Sequence, residues 1–287
     1  MIRDMAKGLN FPEEATAFLG ECFDKITALE DGNDQLALAM DAFFASKDYA
    51  SILNRLAEQT GIHRYSVDMV FLLLCADSLH DIYYIKELPE ELFHNTMMDL
   101  KCKLLECKAL HGIWGTFVTD WLQGYFHLKR YALGRLQYNT IEFPYEDYKG
   151  ILKKGDRVLS CHIPSGAPLL IEDVLDSLKQ AYAFYPDELR DGVLPITCHS
   201  WLLYAPHYEV FPEHSNLRKF YDLFTVIDNE ATEGSNLDRI FNVTETDDYS
   251  TLAETTTLQK RFKKYLMDGN VMGEGFGILL FDGEKIL

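Results

Sequence analysis

Apolar side chains recur at helical spacing through the first 130 residues and at strand spacing after them. Pro12, Glu13 and Glu14 stand ahead of Ala17, Phe18, Cys22, Phe23, Ile26 and Leu29. A proline and two acids at the start of a periodic run are what a helix N-terminus favours. Asp31-Gly32-Asn33-Asp34 ends that run. A second run holds Leu36, Leu38, Met40, Phe43 and Phe44, continues through Ile52, Leu53 and Leu56, and closes at Gly61. Ser66 precedes a third, from Val70 through Leu79 to Ile85, and Pro89-Glu90-Glu91 opens a long pattern from Leu92 to Phe126 that breaks or kinks near Gly112 and Gly115. The pattern predicts an all-helical bundle of about four to six helices.

Past Tyr131 the period changes. Leu133 to Phe143 alternates apolar with polar residues and is rich in aromatic and β-branched side chains, which predicts a strand. Gly155-Asp156 then turns into a strand from Arg157 to Ile163, a loop from Pro164 to Pro168, and a helix through Leu170, Val174, Leu178, Ala181 and Phe184. A further strand is predicted over Pro195–Tyr204, and Ser215-Asn216 caps a helix through Leu217, Phe220, Tyr221 and Phe224. Thr225–Asp228, Arg239–Val243 and Phe276–Phe281 read as strands, with a helix over Thr257–Leu266. The chain therefore reads as α+β, with a helical domain over 1–130 and a domain of alternating strands and helices over 131–287.

Charge narrows the range of functions. With 27 basic against 45 acidic side chains the chain carries a formal charge of −18, so a tight non-specific grip on nucleic acid or anionic lipid is disfavoured. The longest strongly apolar run, Val70–Ala76, falls short of the roughly 18–20 residues that span a bilayer. Met1 to Phe11 lacks the apolar core of a signal peptide, and the expectation is a cytoplasmic protein without membrane or nucleic-acid partners. Six cysteines without a CxxC pair predict reduced, buried thiols, and no metal site is expected. Cys102 and Cys107, five apart, are poorly spaced for two ligands on one helical face.

The stretch Cys161-His-Ile-Pro-Ser-Gly-Ala-Pro-Leu169 is the most informative. A strand that ends in Ser165-Gly166-Ala167 and re-enters a helix, with Pro168 at its first turn, aims backbone N–H groups and the positive helix end at one point. Glycine lets a phosphate approach the backbone, and Ser165 adds a hydroxyl donor. A capped turn without a ligand is the alternative. His162 and His199 each follow a cysteine near the end of a strand, and on neighbouring strands both imidazoles face one crevice as proton acceptors. Histidines hydrogen-bonded beside the core are the alternative there. Strand alternation puts Cys161 and Cys198 on the opposite face from the histidines, against a Cys–His nucleophile pair.

Leu133-Gly-Arg-Leu-Gln137, Gly155-Asp156, His162-Ile-Pro164, Cys198-His-Ser-Trp-Leu-Leu203, Ser215-Asn216 and Thr257-Leu-Gln259 together resemble a family of bacterial acyltransferase-domain proteins. In that family a helical N-terminal domain precedes a GNAT-like C-terminal domain. The resemblance implies a mixed sheet whose central parallel strands, here 157–163 and 196–203, splay around the pantetheine of an acyl-CoA. It implies a pyrophosphate on the following loop, through Ile163, Ser165, Gly166, Ala167 and Leu169. Phe220-Tyr221 is similar to the family pattern in which a tyrosine protonates the departing thiolate, which makes Tyr221 the candidate acid. Ile163 and Pro168 depart from the usual loop, where Arg or Gln and a second Gly or Ala stand. The implied activity is acyl transfer from acetyl-CoA or another acyl-CoA to a small primary amine, with His162 or His199 taking the proton. The competing expectation is a catalytically inactive GNAT-derived module that binds a ligand or a protein, and a third is a hydrolase using Cys161 or Cys198. Oligomeric state is left open by the sequence.

Overall fold

A computed structural model describes residues 1–232 and 236–287. The chain forms two compact units, Met1–Tyr131 and Ala132–Leu287. The first is helical: α1 (Ile2–Gly8), α2 (Glu13–Thr27), α3 (Gly32–Phe44), α4 (Ala50–Thr60), α5 (Arg64–Ile85), α6 (Glu90–His111) and α7 (Thr119–Phe126). Helix α5 is its axis. The apolar run centred on Val70–Ala76 is buried all round because α1, α2, α4, α6 and α7 pack on it. The continuous pattern from Leu36 to Leu56 proves to be two helices, parted by a turn in which Ser46 takes φ 54°. Gly112, at φ 72°, ends α6 in the left-handed conformation that glycine adopts without a Cβ clash. No helix among the described residues is long and apolar enough to cross a membrane.

The second unit is built on a six-stranded sheet. In chain order its elements are β1 (Arg130–Leu133), β2 (Leu136–Glu142), β3 (Asp147–Tyr148), β4 (Leu152–Lys153), β5 (Arg157–His162), α8 (Ile171–Phe184), β6 (Leu194–Ser200), α9 (Asn216–Tyr221), β7 (Thr225–Ala231), α10 (Leu237–Phe241), α11 (Thr257–Met267) and β8 (Gly273–Phe281). The sheet order is β1-β2-β5-β6-β8-β7, and β3 and β4 form a separate hairpin. Strands β5 and β6 are parallel, while β2–β5, β6–β8 and β7–β8 are antiparallel. Parallel neighbours require a crossover, and α8 supplies it.

Register sorts the side chains onto two faces. One face, with Ile141, Val158, Ile278, Phe276 and Leu280, is covered by Phe143, Tyr148 and Leu152 from the β2–β5 connection. The other carries Tyr138, Leu159, Cys161, Ile196, Cys198 and Gly277. Helix α8 packs on that second face, where the Tyr138 hydroxyl meets Ser177 at 2.9 Å. Gly275 and Gly277 let the connection after β6 lie directly on β8. A Cβ at Gly275 would stand 1.9 Å from the Leu203 carbonyl oxygen.

Several details differ from the sequence expectation: the first unit has seven helices rather than about four to six, the strand predicted over Pro195–Tyr204 ends at Ser200 with a 3-10 turn over Trp201–Leu203 after it, and three other segments change. The alternating run Leu133–Phe143 is two strands, because Gly134 turns the chain at φ 65°; a Cβ there would stand 3.1 Å from Gln180 Nε2 and 3.3 Å from Ser177 Cα. Arg239–Val243 is not a strand. Leu237, Ile240 and Phe241 are buried at helical spacing, and the segment forms α10 before Asn242 ends it at φ 54°. Pro168 lies outside the helix, which starts at Ile171 after an extended Leu170.

Ser177 ties α8 to the β1–β2 turn. Its Oγ donates to the Leu133 carbonyl, accepts the Leu136 N–H at 3.1 Å and accepts the Tyr138 hydroxyl. Ser177→Ala removes all three partnerships at a fully buried position and is expected to cost about 1–3 kcal/mol in urea unfolding of the full chain. A loss under about 0.5 kcal/mol would contradict this role. Cys161 and Cys198 are 1% exposed. The hydrogen bond to the Cys198 thiol, together with burial, holds Cys161 well above the ordinary thiol range. Both are therefore expected to resist iodoacetamide in the folded protein and to react once it is denatured, as read by peptide mass spectrometry. Rapid labelling of either in the native state would contradict the face assignment and revive the cysteine-hydrolase reading.

Candidate active site

The pairing between β5 and β6 covers Leu159↔Ile196 and Ser160↔Thr197 and stops there, whereas β2–β5 pairs over six positions and β6–β8 over seven. Both strands continue past that point, β5 to His162 and β6 to Ser200. Backbone N–H and C=O groups in a sheet interior need partners, so two central strands that part company leave hydrogen-bonding edges for a ligand. Parallel pairing carries paired positions on the same face, so His162 and His199, each two residues past Ser160 and Thr197, lie together on the face opposite Cys161 and Cys198. The structure thus brings the two predicted histidines to one strand end.

Their surroundings differ. His162 is half-buried, and its Nε2 donates to Asn139 Oδ1 at 2.7 Å across the β2–β5 ladder. That bond places the lone pair of the neutral ring on Nδ1. His199 is more open, with its side chain 53% exposed, and its Nε2 lies 3.6 Å from Glu274 Oε2 on β8. The other Glu274 oxygen accepts from Asn236 Nδ2 at 3.2 Å. Register places Phe276 beside His199 and Asp228 beside Phe276, and Tyr145 donates to Asp228 at 2.8 Å. Asn139 and Glu274 escaped the sequence analysis, because each stands far from its histidine in the chain and meets it only through strand register.

The loop after β5 carries the other candidates. Ser165, Gly166 and Ala167 are exposed, Gly166 takes φ 90°, Ile163 is half-buried and the Leu169 side chain is buried, so Leu169 offers a ligand its backbone only. Arg135, on the β1–β2 turn, holds this loop. Its guanidinium donates to the carbonyls of Pro164 at 3.0 Å, Ala167 at 2.8 Å and Pro168 at 2.9 Å. One signal for this residue was present in the chain, its place in the Leu133–Gln137 block. Helix α8 has no side-chain cap at its start, and its first turn carries Glu172 and Asp173.

Tyr221 stands apart from the imidazoles. It lies on α9, which packs against α8 and the turn after β6 on the second face, and its ring is 4.9 Å from that of Tyr208. Burial, with smaller contributions from Tyr208 and Asp222, raises its pKa, so the phenol keeps its proton at neutral pH. Among the described residues no group of three or more His, Cys, Asp or Glu side chains is placed to hold a metal ion.

Comparison with known proteins bears on this geometry. No curated protein matches the sequence. An acyltransferase solved in complex with decanoyl-CoA is similar over 96% of this chain and 86% of its own, at 23% identity and a TM-score of 0.75. An acyltransferase in complex with decanoyl-CoA and teicoplanin covers the same shares at 18% identity and a TM-score of 0.72. An acyltransferase mutant in complex with octanoyl-CoA does so at 19% identity and a TM-score of 0.73. These likenesses establish a shared fold. Residues 1–128 match the model of the N-acyltransferase N-terminal domain, and residues 130–279, more than half of the chain, match that of the GNAT-like C-terminal domain. The chain therefore belongs to the GNAT-like C-terminal domain family, with an N-acyltransferase N-terminal domain ahead of it.

Proposed function

We propose that the protein transfers an acyl group from an acyl-CoA to a primary amine by direct attack on the thioester. The observation that carries this reading is the parting of β5 and β6 after Ser160↔Thr197 in a GNAT-family sheet, with two histidines at the opening. The fold neighbours hold decanoyl- and octanoyl-CoA, which widens the expected donor from acetyl-CoA to medium-chain thioesters. One neighbour also holds teicoplanin, which widens the acceptor from a small amine to an amine on a larger molecule.

In this reaction the amine nitrogen bonds to the thioester carbonyl carbon, and the carbonyl oxygen becomes an oxyanion facing backbone N–H groups near Ile163. His199 takes the ammonium proton, and Glu274 gives the resulting imidazolium a counter-charge. His162, held by Asn139, orients the acceptor. Collapse of the tetrahedral intermediate breaks the carbon–sulfur bond; Tyr221, on the second face and still protonated, is the proposed donor of a proton to the thiolate through the opening, and the proton held by His199 passes through solvent to restore the phenol. The acids at the start of α8 and the departures at Ile163 and Pro168 favour a second reading, a binding module without turnover.

Calorimetric titration with acetyl-, octanoyl- and decanoyl-CoA is expected to show one site per chain, with the medium-chain donors tighter. Release of CoA thiol in the presence of a primary-amine panel is then expected to fall about 100-fold in His199→Gln, with donor affinity unchanged. Binding without thiol release would support the inactive module. No binding at millimolar donor would overturn the acyl-CoA reading, and full activity of His199→Gln would remove His199 from the mechanism.

A further inference from the structure

We infer that Arg135 is the positioning residue that shapes the loop after β5 for the diphosphate of the donor. This rests on the acyl-CoA reading above and goes beyond it by assigning the recognition of one part of the donor to a residue outside the loop. The guanidinium donates to three carbonyl oxygens of the loop, those of Pro164, Ala167 and Pro168. The peptide bonds of the described residues are trans, so each C=O and the N–H of the following residue point in opposite directions. A Pro164 carbonyl turned toward Arg135 therefore turns the Ser165 N–H away from it, and the Pro168 carbonyl does the same for the Leu169 N–H. The third peptide, Ala167–Pro168, has no N–H to offer. The guanidinium thus gathers three of the loop's carbonyls on its own side and turns the N–H groups of Ser165 and Leu169 to the other.

A loop of this sequence needs such a device. Pro164 and Pro168 remove two donors, and Glu172 and Asp173 in the first turn of α8 oppose an incoming anion. Arg135 brings a permanent positive charge to the same loop and neutralises the carbonyl dipoles that would otherwise face a phosphate. Its own position is fixed from both sides. Gly134 makes the tight turn, and Ser177 of α8 holds the backbone of Leu133 and Leu136 on either side of it. The helix that follows the loop therefore anchors the turn that presents the arginine to that loop.

The test compares decanoyl-CoA and decanoyl-3′-dephospho-CoA, which both carry the diphosphate and are expected to weaken alike, with S-decanoyl-pantetheine, which lacks the diphosphate together with the 3′-phosphoadenosine, each bound to the full-length protein without acceptor. Calorimetry is expected to show that Arg135→Gln weakens decanoyl-CoA about tenfold or more and leaves S-decanoyl-pantetheine within about twofold. Arg135→Lys, which keeps the charge but loses the fork, is expected to fall between the two for decanoyl-CoA. It also provides the readout where the glutamine variant does not fold. Equal weakening of decanoyl-CoA and S-decanoyl-pantetheine, or none, in a folded variant would overturn the inference while leaving the acyl-CoA reading intact. Failure of the wild-type protein to bind decanoyl-CoA would overturn the reading and the inference together.

Discussion

The second unit depends on a pairing that is not completed. Strands β5 and β6 pair at Leu159↔Ile196 and Ser160↔Thr197, enough to keep the sheet continuous, and their ladder goes no further although both strands do. Each is secured on its outer side, β5 by six positions of β2 and β6 by seven of β8, so the gap costs neither strand its place. Backbone groups inside a sheet call for partners, and a ladder that ends between two central strands is suited to a ligand that adds hydrogen bonds there. Pantetheine, with its two amides, has that chemistry. The opening also fixes where the side chains go: the histidines to one face, the thiols to the other, and the loop with Gly166 directly at the end of β5.

The same region is braced by two polar contacts that cross in opposite directions. Ser177 reaches from α8 to the β1–β2 turn, and Arg135 reaches from that turn to the loop ahead of α8. Hydrogen bonds of this kind add little apiece in water, but a buried hydroxyl serving three partners is costly to remove, and a guanidinium on three carbonyls fixes a loop that proline alone would not. The paired carboxylate and amide partners of the histidines extend this pattern. Glu274 and Asn139 come from the strands on either side, so the outer strands hold the two imidazoles of the inner pair.

Much of the architecture was legible in the chain. The helical period before Tyr131 and the alternation after it gave the α+β class, and the opposition of each cysteine to its neighbouring histidine followed from strand alternation. Local pattern failed where tertiary contact decides. Gly134 reads as one residue in a strand, and its turn is explained by the close approach of Ser177 and Gln180. Arg239–Val243 has strand-like composition, yet Leu237, Ile240 and Phe241 bury one helical face. Pro168 would suit a first helical turn, but Arg135 holds its carbonyl in the loop. At the candidate site, the two histidines and the loop after β5 could be read from the chain, whereas Asn139, Glu274 and Arg135 meet them only through register and a turn, which one sequence does not display.

The central claim is that an acyl-CoA occupies the opening between β5 and β6. Amide hydrogen exchange of the full-length protein with and without saturating decanoyl-CoA tests it most directly. The account predicts slowed exchange at residues 161–170 and at the end of β6, with the buried helix α5 unchanged. Protection confined to other segments, or absent under saturating donor, would contradict it.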